Sequence, residues 1–244
     1  MSNKQPVPLD QYLALAGYGG RREAVRLIAA GRVKIAGETV TDAHREVVHG
    51  QDYVRVDGKL IKKLWPPIYL LLNKPAKTIT ATKDTGDRAT VYDLLGKYRA
   101  VVQSVGRLDY DTEGALLFTN DGDLAHALTS PASKAPKTYL VKIKGHPTPK
   151  ALEQLRNGLD IGGYVTAPAL VKIAERLKIN TWLRITLTEG KYRQVRRMME
   201  AIGHPVLKLQ REAIGSITVE DLPLGQYRML RAGEVRKLKE LVKA

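Results

Sequence analysis

The 244-residue chain contains no cysteine, which excludes both a disulfide framework and a thiolate metal site. No apolar run approaches the roughly 20 residues that a helix needs to cross a bilayer. The first residues, Met1 to Pro6, lack the apolar core of a secretory signal. Together these absences lead to an expected cytoplasmic location. Acidic residues are scarce: 25 Asp and Glu stand against 40 Lys and Arg, a net charge of +15. Such an excess favours a polyanionic partner, because neutralising phosphates releases counterions. An anionic membrane surface would be the competing partner, but no long basic amphipathic helix stands out, so nucleic acid is expected. The hydrophobic share of 43% suits a soluble globular chain with a real core, and the length suits one large domain or a small one plus a medium one.

The pattern changes near residue 66. Before it, Leu9, Leu13, Leu15 and Ala16 form a short helical stripe that ends at Gly17. The run Arg21 to Ala30 then predicts a helix with Ala24, Val25, Leu27 and Ile28 inward and Arg21, Arg22 and Arg26 outward. Val33 to Ile35 alternates as a strand before a turn at Gly37, and Tyr53 to Asp57 turns at Gly58 into Lys59 to Ile61. Taken alone, the arginines would be an ordinary solvated helix face. Yet Gly20-Arg-Arg-Glu-Ala24, Gly31-Arg-Val33 and Ala36-Gly37 fall in order within about 60 residues. This segment resembles an S4 RNA-binding domain, with Gly20 replacing the usual serine and Ala36 the usual asparagine. The resemblance implies that Arg21, Arg22, Arg26, Arg32 and Lys34 contact RNA.

Lys62 to Pro67 carries two prolines that end regular structure. The expected organisation is therefore an S4-like domain over 1–62, a linker over 63–67 and a catalytic domain over 68–244. In the last, Ile68 to Leu72, Ala115 to Phe118, Tyr139 to Ile143 and Trp182 to Leu187 are strand candidates, and 150–157 and 192–202 are helix candidates. They do not alternate at the spacing of a doubly wound sheet, so an α+β fold with a mainly antiparallel sheet is expected.

The stretch with the most chemistry is Gly106-Arg-Leu-Asp-Tyr-Asp-Thr-Glu-Gly114. A carboxylate, Asp109, with an arginine two residues away and glycines on both sides is built like an active-site loop. Asp109, Asp111, Glu113 and Gly114 also fall at positions one, three, five and six of a calcium-binding loop. However, Asn120 occupies position twelve and strand-like segments flank it, so calcium is not expected. A glycosidase with a second carboxylate would leave the basic charge and the first segment unexplained.

Four stretches occur in order: Leu72-Asn-Lys-Pro75 with an Asp84 loop and Thr90 to Leu95; the Asp109 loop with Thr119-Asn-Asp-Gly122; Pro136-Lys-Thr-Tyr-Leu-Val141; and Glu189 to Met198 through His204 to Leu209-Gln-Arg211 and Ile214-Gly215. On these the chain resembles the RsuA/RluB/RluE/RluF family of ribosomal RNA pseudouridine synthases. The resemblance implies catalytic roles for Asp109, for Arg196 as its ion-pair partner, and for Tyr139 as the ring that stacks on the target base. It also implies that Arg107 fills the space left by the flipped nucleotide; Arg193 and Arg197, which share a side of the predicted helix with Arg196, are expected as phosphate contacts, and Lys74 as a further RNA contact. Two positions depart from the family pattern: Lys77 stands where glycine is usual, and Ser130 precedes Pro131 where histidine is common. Isomerisation needs no redox partner and no transferred group, so no cofactor and no metal are expected. The expected partner is ribosomal RNA, as 23S rRNA or a large-subunit assembly precursor. The protein is expected to act as a monomer, away from membranes. Action on 16S rRNA is the runner-up, and a non-catalytic RNA-binding or ribosome-assembly factor is the rival from another class.

Overall fold

A computed structural model describes residues 5–84, 86–130 and 132–242; Pro131 lies outside them. The chain divides into two compact units. The first holds residues up to Ile68 together with Gly96–Gln103 and Thr119–Asp121, and the second holds the remainder.

The first unit begins with β1 (Val7–Pro8), α1 (Leu9–Leu15) and α2 (Arg21–Ala29), followed by β2 (Val33–Ile35), β3 (Glu38–Thr39), β4 (Glu46–Val47), β5 (Val54–Val56) and β6 (Lys59–Leu60). Strands β3-β2-β5-β6 form one antiparallel sheet, and β1 pairs with β4. The helices bury Leu9, Tyr12, Leu13, Ala24, Leu27 and Ile28 with Val33, Ile35, Val54 and Val56. Val25, expected in this core, is 40% exposed. The stripe of α2 runs through Ala24, Leu27 and Ile28 at i, i+3 and i+4, and residue 25 lies about 100° round the helix from 24. Ala36 and Gly37 join β2 to β3 with φ of +51° and +95°. A two-residue hairpin with both φ positive favours Asn-Gly, so Ala36 adopts this turn without the residue that suits it best. Lys63–Pro67, expected as a linker, is tied down. The Trp65 backbone N–H donates to Leu15 O at 2.9 Å, and its ring lies edge-on to Tyr98 at 6.0 Å.

The second unit is built on one long sheet. Its elements are β7 (Tyr69–Lys74), β8 (Gln103–Val105), β9 (Glu113–Thr119), α3 (Gly122–Thr129), β10 (Lys137–Lys144), α4 (Pro149–Asn157), β11 (Leu170–Arg176), β12 (Asn180–Leu187), α5 (Gln194–Ala201), β13 (Val206–Ile214), β14 (Ile217–Thr218), β15 (Tyr227–Met229) and α6 (Ala232–Glu240). The order is β11-β12-β10-β13-β9-β7-β15, with β14 beside β13 and β8 beside β9. Pairings among β11, β12, β10 and β13 and between β15 and β7 are antiparallel, as expected. The β13–β9 contact is parallel and short: Gln210 opposite Glu113, and Arg211 opposite Gly114. Alternation along β10 and β12 sends Tyr139, Val141, Ile143, Leu183, Ile185 and Leu187 to one face, where α5 adds Val195, Met198 and Met199. The sheet is thus anchored on one side of the point where β9 leaves the Asp109 loop.

Candidate active site

The loop between β8 and β9 carries Asp109, and its neighbours on the chain hold it in place. Leu108 is buried, and its carbonyl accepts from the Thr80 hydroxyl at 2.9 Å. On the other side, Thr112 N donates to Asp109 O at 3.1 Å. Beneath the loop, the fully buried Lys74 donates from Nζ to Pro75 O and Thr112 O, each at 2.9 Å, and to Tyr110 O at 3.3 Å. Lys74 was expected to contact RNA. The structure corrects this: a side chain with no exposure and three carbonyl acceptors cannot reach a phosphate. Burial pushes its pKa down to about 8, opposed by the nearby charges of Asp111, Asp109 and Glu113. Arg88 pairs with Asp84 at 3.0 Å and lies over the Tyr110 ring at 5.9 Å, so the Asp84 loop also meets the Asp109 loop.

Opposite Asp109 stands the N-terminus of α5. Arg196 Nε lies 3.9 Å from Asp109 Oδ2 and Arg193 Nη1 lies 3.7 Å from the same oxygen. These separations exceed the roughly 2.7–3.2 Å of a direct hydrogen bond, yet two guanidinium groups converge on one carboxylate. Arg193, expected on the helix face as a phosphate contact, instead precedes the helix with φ +49°. That left-handed residue marks local strain of about 1–3 kcal/mol, and its side chain lies beside Asp109. Arg197 takes a different path. Its Nη2 donates to the carbonyls of Ile161 and Gly162, the latter at 3.0 Å, which commits it to tying down a loop rather than to a phosphate. Glu189 and Gln194 knot the approach to α5. Glu189 accepts from Tyr164 OH at 2.5 Å, Ala167 N at 3.0 Å and Gln194 Nε2 at 2.5 Å.

Asp109 opens into a cleft of about 340 Å³ lined by Arg107, Tyr139, Arg193 and Arg196 among others, all from the second unit. The structure therefore brings together Asp109, Arg196, Tyr139 and Arg107. Two further cations line the cleft that the sequence alone did not single out. Arg211 lies opposite Tyr139 across the β10–β13 ladder and is 5% exposed; it donates through Nε to Ala115 O at 2.7 Å. Lys137 donates to Ala135 O at 3.0 Å, and its pKa is lowered by burial and by the Arg211 charge. The signal for Lys137 was present in the sequence: it stands two residues before Tyr139 on one strand, hence on the same face. Thr112 Oγ1, Arg196 Nε and Arg211 Nη2 are buried without a hydrogen-bond partner among the described residues, and all three residues line this cleft. Polar atoms stranded together in this way fit a site built to receive a polar ligand. No group of three or more potential metal ligands occurs among the described residues.

Arg21, Arg22, Arg26, Arg32 and Lys34 of the first unit are all exposed, but three face carboxylates. Arg21 pairs with Asp10 at 2.7 Å, Arg26 with Glu23 at 3.3 Å, and Arg32 with Asp57 at 2.5 Å. The Arg26–Glu23 and Arg32–Asp57 pairs are solvent-exposed and so contribute little, which leaves both arginines open to exchange the carboxylate for a phosphate, whereas Asp10, with its side chain only 4% exposed, holds Arg21 from within the fold. Arg22 and Lys34 project from α2 and β2.

An arginine-flanked carboxylate and a tyrosine thus meet at one cleft of the second unit, and the first unit carries a set of exposed arginines. The RNA pseudouridylate synthase family matches residues 68–201, and the S4 domain matches residues 7–53. The chain is 39% identical over 235 residues to "Ribosomal large subunit pseudouridine synthase B" of Bacillus subtilis (strain 168), covering 96% of each chain. It is 38% identical over 233 residues to an "Uncharacterized RNA pseudouridine synthase" of Aquifex aeolicus, covering 95% of this chain and 93% of the relative. A solved structure described as "Crystal structure of pseudouridylate synthase" superimposes with a TM-score of 0.66 at 31% identity, covering 95% of this chain and 99% of the other. The chain belongs to the RNA pseudouridylate synthase family and carries an S4 domain at its N-terminus.

Proposed function

We propose that the protein converts a specific uridine of 23S ribosomal RNA to pseudouridine, with Asp109 as the catalytic carboxylate. The observation that carries this reading is the convergence of Arg193 and Arg196 on Asp109 Oδ2 at a cleft that Tyr139 also lines. In the reaction the bond from C1′ to N1 breaks, the base turns, and a bond from C1′ to C5 forms. The proton leaving C5 is balanced by one gained at N1, so no electrons and no groups are exchanged.

Asp109 acts at the sugar, where it must be ionised. A carboxylate covered by substrate would be driven toward its protonated form, and neighbouring guanidinium groups oppose that. Arg196, with its side chain only 14% exposed, is the main counter-charge, and Arg193 supplements it from the rim. Tyr139 offers a ring face to the base once it has left the stack, a step that costs a few kcal/mol in a paired helix and less in a loop. Arg107, exposed at the mouth of the cleft, occupies the gap left in the RNA.

Assignment to the large subunit is supported by the B. subtilis relative, whose name states that target. Pseudouridine mapping across rRNA from cells with and without the gene tests it. The expected result is loss of a site in 23S rRNA alone. Loss from 16S rRNA would move the assignment to the small subunit, and no loss from either would refute ribosomal RNA as the substrate.

A further inference from the structure

We propose that a second groove, adjoining the catalytic cleft, holds the RNA strand beside the target nucleotide by its phosphodiester backbone. The inference rests on the reading of the first cleft as the place where the target base is held.

This groove lies between the segment that leaves α3 and the C-terminal helix α6, and its volume is about 1140 Å³. Pockets that take one compact small molecule run to about 300–1000 Å³, so this space suits an extended ligand. Ser130 and Ser133 line both cavities. The two cavities therefore adjoin, and a strand whose flipped base enters the first passes close to the second. The chemistry of the walls matches ribose-phosphate. Ala127, Pro136, Leu241 and Val242 form apolar walls that sugar rings and bases can lie against. Around them stand His126, Lys134 and Lys237, all exposed. One carboxylate, Glu240, also lines the groove, and Arg236 pairs with it at 3.9 Å. Neither Lys134 nor Lys237 lines the catalytic cleft. Both are free to bind backbone without taking part in the chemistry.

Lys134→Gln combined with Lys237→Gln removes both charges at exposed positions where folding is not at stake. Binding of a full-length 23S rRNA transcript is measured across a salt series. Each phosphate contact contributes about −0.7 to the log–log salt slope on single strands. The double variant should therefore have a slope shallower by about 1.4 and weaker binding, with the single-turnover rate at saturating RNA within twofold of wild type. A charge-matched variant, Lys150→Gln with Lys172→Gln, should change the slope less. An unchanged slope in the groove variant, or an equal change in the control, overturns the proposal.

A photocrosslinking residue placed at position 134 gives an independent readout. Crosslinks should map within a few nucleotides of the pseudouridine that the same protein forms, and crosslinks scattered or remote from it overturn the proposal. If the wild-type protein forms no pseudouridine in rRNA, the proposed function fails. The salt series still decides whether the groove holds RNA.

Discussion

Arg196 directs its Nε toward Asp109 Oδ2 at 3.9 Å, and that buried nitrogen has no hydrogen-bond partner among the described residues. A buried guanidinium nitrogen left in this way is costly, and in the proposed function its charge serves Asp109. Arg196→Ala should lower the single-turnover rate by on the order of a hundredfold or more, the usual loss when a preorganised charge is removed from a catalytic centre. Arg196→Lys should recover part of the rate, since the charge returns without the planar fork. Arg193→Ala should cost less, because its side chain is 40% exposed. Equal losses from the two alanine variants would mean that the arginines act as a pair.

Gly114 connects the Asp109 loop to the sheet and leaves no room for a side chain. Its φ is +107°, and a β-carbon there would lie 2.2 Å from the Arg211 carbonyl oxygen. That neighbour is backbone across the β13–β9 junction and cannot swing aside. Gly114→Ala should destabilise the protein by about 3 kcal/mol or more, combining left-handed strain with overpacking. Denaturant unfolding measures this, and a loss under about 1 kcal/mol would show that the junction gives way easily.

Lys74 makes stability depend on pH in a direction opposite to that of a lysine held by a carboxylate. Its folded pKa of about 8 lies below the ordinary 10.5. Between those values the unfolded chain holds more protons, so stability rises with pH. The gain reaches at most about 3 kcal/mol. Below pH 8 the charged, desolvated ammonium carries its full cost. The comparison is with Lys74→Met, which should lose this rise and also lose activity, because Pro75, Tyr110 and Thr112 lose a shared donor under the loop. Parallel stability curves for wild type and variant between pH 8 and 10 would contradict the account.

Two positions that depart from family patterns are strained in the structure. Lys77, where glycine is usual, has φ +58°, and Ala36, where asparagine is usual, has φ +51°. Left-handed backbone costs a residue with a β-carbon about 1–2 kcal/mol. Ala36→Asn should therefore raise stability by about 0.5–1 kcal/mol without touching activity. A drop in the unfolding midpoint would refute it.

Much of this was legible before the fold. Alternation along β10 and β12 and the stripe of Val195, Met198 and Met199 marked the core, while the family resemblance implied a shared site for Asp109, Tyr139 and Arg196, which line one cleft. What escaped did so for physical reasons. Strand β11 is exposed over most of its length, so it carries little apolar alternation to detect. Lys74 looked like a surface cation because sequence does not reveal that three backbone carbonyls converge on its ammonium group. Arg193 and Arg197 differ by one helical turn, and only the left-handed residue before α5 separates the one beside Asp109 from the one that binds loop carbonyls.

The central claim is that Asp109 performs the chemistry and does not hold the RNA. Asp109→Asn keeps shape and volume but can neither attack the sugar nor accept its proton. The deciding measurement is single-turnover pseudouridine formation on 23S rRNA by this variant, with RNA affinity determined in the same preparation. The account predicts no detectable product and affinity within a few fold of wild type, slightly tighter because a negative charge near phosphate is gone. Product formation at a rate near wild type would contradict it.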